Sequence, residues 1–134
     1  DFAGPTYAVE FAARPMRDLL DASESRPRLF PLLADARSPE EYAHVVEPVD
    51  VIVQDVATRG QATVATTNAR FLREDGRLLM AVKARSEDVT RDPEAVFADA
   101  LDELREAYEI LDTERLTPYH DDHLGVVARP LSEP

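Results

Sequence analysis

Short apolar runs alternate along this chain with stretches of helical character, and that alternation narrows the fold more than any other feature. Residues 6–11 read as a strand and 13–24 as a helix. A second strand covers 28–34, with Asp35 at its end, and a short helix lies around 39–46. Residues 49–53 (Val-Asp-Val-Ile-Val) are β-branched and apolar, a buried strand that ends at Gln54 and Asp55. Residues 61–72 suit a helix, Glu74-Asp75-Gly76 a turn, and 77–84 a fourth strand. Asp92 and Pro93 open the next helix as N-cap and first-turn proline, and Val96, Phe97, Leu101, Leu104 and Tyr108 fall on one face. Residues 108–116 and 123–129 read as two last strands, and 130–134 as a frayed tail.

Strands alternating with helices imply right-handed crossovers and an α/β fold, with a mostly parallel sheet covered by helices on both faces. The last two strands have only residues 117–122 between them, which allows an antiparallel hairpin at one end. At 134 residues the chain is one domain, spanning 1–134. Such sheets bind ligands outside the carboxyl ends of their strands. Glu10, Asp35, Asp55 and Lys83 are predicted to lie at those ends, and Glu10 with Asp35 to share one crevice.

Lys83 is the only lysine beside fourteen arginines. Arginine stays charged, whereas lysine is a compact charge that can give up its proton, so Lys83 is the first candidate for chemistry; chance survival in an arginine-rich composition is the bland alternative. Asp55 follows an apolar strand, where it would hold Lys83 or a substrate hydroxyl, or else cap the next helix. Glu10 would accept from ribose hydroxyls or serve as a helix N-terminal acid; Gly4-Pro5 is a single turn and no cofactor cradle. His120 and His123 flank Asp121 and Asp122, but without a cysteine or a third spaced histidine they make a poor metal site. His44 reads as a surface residue, Arg85-Ser86-Glu87-Asp88 as a weak phosphate candidate, and residues 99–106 as a solvated charged face.

Acids outnumber bases 27 to 15, for a formal charge of −12, and such a surface repels nucleic acid at ordinary salt. At molar salt the Debye length falls to about 3 Å and that repulsion fades. An acidic, lysine-poor surface resembles proteins of salt-loving organisms. There is no cysteine, which fits a cytoplasmic setting and rules out disulfides within the sequence. The apolar runs are of strand length, so no membrane span is expected. The chain opens on Asp1 rather than methionine, as a fragment or processed product would.

Several strings together, in order along nearly the whole chain, resemble archaeal fibrillarin-like proteins: Tyr7-Ala8-Val9-Glu10-Phe11, Pro31-Leu32-Leu33-Ala34-Asp35-Ala36-Arg37, Asn68-Ala69-Arg70-Phe71, Val82-Lys83-Ala84-Arg85-Ser86 with Asp88-Val89-Thr90, and Pro118-Tyr119 with Asp122-His123. The resemblance implies a class I, Rossmann-like methyltransferase fold and S-adenosyl-L-methionine-dependent 2′-O-methylation of ribose in rRNA and tRNA. By position it places Glu10 and Phe11 at the cofactor's ribose and adenine, Asp35 and Ala36 by the adenine, and Asp55, Val56, Ala57 and Thr58 along the methionine. Thr58 stands where the family usually has glutamine. The family's catalytic set corresponds to Asp55, Lys83 and His123. Its other lysine, its glycine-rich motif, the first strand of the sheet and an N-terminal domain would all precede residue 1, residues 1–3 resembling the end of the helix after that motif. A sheet without its middle strand leaves unpaired edges, so the segment alone is expected to bind the cofactor poorly.

The implied reaction moves a methyl group from sulfonium to a 2′-hydroxyl that must lose its proton, with Lys83 either the base or an orienting charge. The implied partners are a box C/D guide RNA with its target rRNA or tRNA, a Nop-domain scaffold and a small box C/D RNA-binding protein. A chain at −12 leaves RNA binding to such partners. A class I methyltransferase acting on a small molecule and a non-catalytic fragment are the alternatives.

Overall fold

In a computed structural model, the structure describes residues 4–116 and 122–132. The helix end expected at 1–3, the centre of the 117–122 link with Pro118, Tyr119 and His120, and residues 133–134 lie outside them. The chain forms two compact units, Asp1–Glu47 and Pro48–Pro134.

In the first unit, β1 (Thr6–Glu10) leads through α1 (Ala13–Ser23) to β2 (Leu29–Leu33). The two strands pair in parallel from Thr6 with Leu29 to Glu10 with Leu33. The crossover helix makes the parallel pairing possible, and its Met16 is buried. The Tyr7 and Phe30 rings, also cross-strand partners, stack with centroids 5.8 Å apart. The helix expected at 39–46 is only a 3-10 turn, Pro39–Glu41. Beyond it Val45 and Val46 both donate to the Tyr42 carbonyl, and the buried Tyr42 side chain anchors the segment.

The second unit is a four-stranded sheet of β3 (Val49–Gln54), β4 (Leu72–Lys83), β5 (Tyr108–Arg115) and β6 (His123–Pro130), in the order β3-β4-β6-β5. β3 and β4 are parallel, while β6 is antiparallel to both of its neighbours. Three of the four strands therefore run one way. The expected hairpin of the last two strands is present, with its second strand folded inward so that β5 holds the edge.

Period-two burial makes the core. Leu78, Met80 and Val82 of β4 and Leu124, Val126 and Ala128 of β6 turn one face inward. They pack with Ala62 and Ala65 of α2 (Gln61–Asn68) and with Val96, Phe97 and Leu104 of α4 (Pro93–Leu104). Asp92 caps α4 as expected, its carboxylate accepting from Glu94 N–H at 3.2 Å. Tyr108 joins this core from β5, because α4 ends at Leu104.

Residues 69–76 depart from the expected helix and turn. α2 stops at Asn68, a 3-10 turn covers Ala69–Phe71, and Leu72 already belongs to β4. The buried Asn68 amide donates back to the Val64 carbonyl, four residues earlier, at 2.8 Å. Glu74-Asp75-Gly76 is no turn between elements but an irregularity inside β4. The register passes from Val49–Leu72 to Val51–Arg77, so the longer strand bulges. A short helix that the sequence reading lacked, α3 (Ala84–Glu87), follows β4 directly. The predicted frayed tail is also partly wrong, since β6 runs to Pro130 and Leu131 N–H donates to the Ala107 carbonyl.

Candidate functional site

At the carboxyl end of β3 and β4 the chain brings two of its predicted catalytic residues together. Asp55 follows β3 immediately, Lys83 is the last residue of β4, and Lys83 Nζ lies 2.6 Å from Asp55 Oδ1. The Lys83 side chain is 21% exposed and that of Asp55 68%, so the pair is reachable from solvent. His123, the first residue of β6, is the cross-strand partner of Lys83. All three predicted catalytic residues thus share one end of one sheet. Asp55 does not cap the next helix, because the N-cap of α2 is Gly60, in the left-handed conformation at φ 75°.

Three residues missed by the sequence reading hold this end in place. Gln61 is fully buried, and its side-chain amide donates to the Lys83 carbonyl and accepts from Lys83 N–H, both at 2.8 Å. The buried Gln54 donates from Nε2 to the Gln61 carbonyl, also at 2.8 Å. Glu87 of α3 accepts from Gly60 N–H at 3.0 Å and Gln61 N–H at 2.9 Å, so a carboxylate satisfies the first donors of α2. Glutamine directly after a helix-opening glycine was the available signal. It is a faint one, since nothing local marks Gln61 as buried.

Of the remaining residues predicted along this segment, Val56, Ala57 and Thr58 continue from Asp55 toward Gly60. The Thr58 hydroxyl oxygen is buried and has no hydrogen-bond partner. An open groove of about 340 Å³ lies beside Asp55, floored by Val53, Leu79, Ala81 and Val127 and edged by Asp112 and Glu114. Val53 is 73% exposed there. The phosphate reading of residues 85–88 is not supported. Arg85 Nε is paired with Asp122 Oδ2, Glu87 serves α2, and Asp88 accepts from Thr90 N–H at 2.8 Å and Thr90 Oγ1 at 2.6 Å. The hydroxyl of Thr90 is the main reason the Asp88 carboxyl sits below its ordinary range. Asp122, beside His123, also accepts from Ala84 N–H through its carbonyl, at 2.9 Å. The histidine pair cannot be followed, because His120 lies outside the described residues.

The predicted nucleoside residues stand in the first unit, at the corresponding end of its two strands. Glu10 ends β1 and Phe11 follows it, and Asp35 and Ala36 come just after β2; Ala34 N–H donates to the Glu10 carbonyl at 3.2 Å, which draws the two ends together. Glu10 Oε1 accepts from Ala12 N–H at 3.0 Å, the helix-entry role weighed as its bland alternative. Phe11 is 57% exposed. Both oxygens of Asp35 are taken up by Arg37, whose Nη2 lies 2.6 Å from Oδ2. Chiefly through those hydrogen bonds, Arg37 lowers the Asp35 carboxyl below its ordinary value.

The sheet of the second unit, whose strands run one way except for the inserted β6 and which has Asp55 and Lys83 at the carboxyl ends of β3 and β4, bears the marks of the class I methyltransferase fold. Distant proteins share it, among them a TehB-like S-adenosylmethionine-dependent methyltransferase from Corynebacterium glutamicum, at 14% identity and a TM-score of 0.69, a likeness of fold alone. The model of the family described as Fibrillarin matches residues 1–131, and the chain belongs to that family. It is 73% identical over 130 residues to the fibrillarin-like rRNA/tRNA 2′-O-methyltransferase of Haloarcula marismortui, a match that covers 97% of this chain and 62% of that protein. Among solved structures, fibrillarin of Aeropyrum pernix in complex with natively bound S-adenosyl-L-methionine is 47% identical with a TM-score of 0.82, covering 93% of this chain and 55% of that one. A fibrillarin/Nop5p complex contains a chain 40% identical with a TM-score of 0.90, covering 96% of this chain and 62% of that one. The chain thus spans somewhat under two thirds of the relatives it matches.

Proposed function

We propose that the protein carrying this chain transfers methyl groups to ribose 2′-hydroxyls of rRNA and tRNA, directed by a box C/D guide RNA. The observation that carries the reading is the Lys83–Asp55 pair at 2.6 Å with His123 across the strand, in a chain 73% identical to a protein of that activity. In this reading the two units are parts of one methyltransferase domain, 1–134, supported by the unbroken family match over residues 1–131.

S-adenosyl-L-methionine would supply the methyl group. The residues present fit it by their chemistry. Glu10 offers a carboxylate to a ribose diol, Phe11 an exposed ring to adenine, and Asp35 with Ala36 a border fixed by Arg37. The resemblance assigns Asp55, Val56, Ala57 and Thr58 to the methionine portion, and the buried, unpartnered Thr58 hydroxyl is an atom that a ligand would satisfy. Lys83 and Asp55 would hold the 2′-hydroxyl between an ammonium and a carboxylate. With Lys83 charged, the proton of that hydroxyl would leave to Asp55 or through His123; only as the neutral amine would Lys83 take it itself.

The reading sets the protein in the cytoplasm, in a particle with a Nop-domain scaffold and a small box C/D RNA-binding protein. Among the described residues no helix is long and apolar enough to cross a membrane. The net charge of −12 suits a catalyst that leaves RNA binding to such partners.

The test is methyl transfer by the full-length protein, assembled with guide RNA and scaffold. Lys83→Ala should reduce turnover by about 10²–10⁴-fold, the span of positioned acid–base groups. Lys83→Arg keeps the charge and removes the amine that can be deprotonated. Wild-type rate in Lys83→Arg removes Lys83 as base, and wild-type rate in Lys83→Ala overturns the reading of the site.

A further inference from the structure

We propose that Gln61 is a positioning residue that sets the end of β4, and with it Lys83, against Asp55. The inference rests on the reading of Lys83 and Asp55 given above. The last cross-strand partners of β3 and β4 are Gln54 and Met80, yet β4 continues to Lys83. Beyond Met80, β3 no longer supplies peptides to pair with β4. Gln61 supplies the equivalent of one. Its Oε1 accepts from Lys83 N–H and its Nε2 donates to the Lys83 carbonyl, which is the donor–acceptor pairing a neighbouring strand would offer. The Gln61 carbonyl meanwhile accepts from the Gln54 side chain, one residue before Asp55. One residue therefore grips both strand ends from which the ion pair springs.

A side-chain amide suits the place, because it carries its donor and its acceptor as separate atoms of one planar group, as a peptide does, and an ionised glutamate in the same fully buried place would lose the donor and bring in a charge. The grip is itself braced. Glu87 binds Gly60 N–H and Gln61 N–H, and Glu87 lies four residues after Lys83, so β4, α3 and α2 close into a ring through Gln61. On its other side β4 is paired with β6 as far as His123, which leaves the Lys83 peptide little freedom. A reacting group held this way keeps the geometry that a displacement of about 1 Å would cost about a hundredfold in rate.

The experiment compares Gln61→Met with Tyr108→Phe in the full-length, assembled enzyme. Tyr108→Phe deletes a buried hydrogen bond in the same core, from Tyr108 Oη to the Ala65 carbonyl, and Tyr108 pairs with Pro130 at the opposite end of β6 from the Lys83 partner His123. The expected result for Gln61→Met is a fall in kcat of about tenfold to a hundredfold, with KM for S-adenosyl-L-methionine within about twofold of wild type. Tyr108→Phe should keep kcat at a similar loss of melting temperature. Gln61→Met retaining kcat, or losing no more than Tyr108→Phe, overturns the proposal. Should Gln61→Met fail to fold, hydrogen exchange in the wild-type protein decides. The Gln61 side-chain amide and the Lys83 N–H should both be strongly protected, and exchange at exposed-amide rates in either one overturns the grip. Lys83→Ala, assayed alongside, separates the two ideas, because full activity in that variant defeats the catalytic reading while leaving the exchange result to decide the grip.

Discussion

Lys83 Nζ and Asp55 Oδ1 lie 2.6 Å apart across the ends of two parallel strands, and the more exposed partner is the carboxylate. A pair so open to water contributes little to stability, about 0–1 kcal/mol. The cost of ordering two side chains at a solvated sheet end is better explained by use than by folding. Asp55→Asn in the full-length protein should therefore leave the melting temperature within about 2 °C while reducing methyl transfer by about a hundredfold or more. Calorimetry paired with single-turnover kinetics checks this. A large melting shift with unchanged turnover would make the pair structural.

Tyr108 is the opposite case, a polar group sunk in the core. Its hydroxyl donates to the Ala65 carbonyl at 2.6 Å, and burial pushes the phenol well above its ordinary value. Tyr108→Phe should cost about 1 kcal/mol, or about 4 °C in melting temperature. The sign of the pH dependence follows from the raised value. The unfolded chain begins to release this proton near pH 10, the folded one only at higher pH. The Tyr108 contribution is thus whole below about pH 10 and is lost as pH rises toward the folded value. Tyr108→Phe should flatten the alkaline limb of the stability–pH curve, as read from urea midpoints between pH 8 and pH 11.

The strand–helix alternation, the carboxyl-end acids and Lys83 were legible because each depends on local pattern: β-branched runs, period-two burial in β4, the Asp92-Pro93 cap. Where the reading failed, tertiary contacts decide. Glu74-Asp75-Gly76 has turn composition, but Leu72 before it is drawn into the sheet core and pairing with β3 resumes at Arg77. Gln61 shows the same limit on the functional side. Its importance comes from Lys83, twenty-two residues away. The α/β class could be inferred from periodicity, and Lys83 and Asp55 from residue type and position, whereas the cofactor contacts and the place of His123 in the catalytic set came from resemblance.

Gly76 makes that irregularity testable. A Cβ built there would lie 2.8 Å from the Asp50 carbonyl oxygen and 2.6 Å from Leu72 Cδ1. The leucine tip can turn aside, but the β3 backbone cannot. Gly76→Ala should destabilise by about 1–3 kcal/mol, the usual cost of overpacking, even though alanine is otherwise the better strand residue. The same substitution at Gly4, where no atom lies within 4 Å, should leave stability unchanged. Equal effects at the two sites would show that β3 and β4 do not approach as described.

The acidic surface carries a prediction that separates adaptation to salt from ordinary acidity. α1 has no basic residue in its last turn, yet Asp21 sits there and Glu24 forms its C-cap. Carboxylates at a helix C-terminus face the negative end of the dipole, which costs about 0.3–1 kcal/mol each at low ionic strength. Both residues are exposed, so salt can screen the conflict. Asp21→Asn with Glu24→Gln should therefore raise the melting temperature in 0.1 M KCl and bring no gain in 2 M KCl. The parent chain, at −12, should itself melt higher in 2 M than in 0.1 M KCl as self-repulsion fades. Thermal scans of both proteins at the two salt concentrations decide it. A gain that persists undiminished at 2 M would mean that the dipole conflict is not what the substitutions relieve, and that salt is not what lets this sequence keep acids at the end of α1.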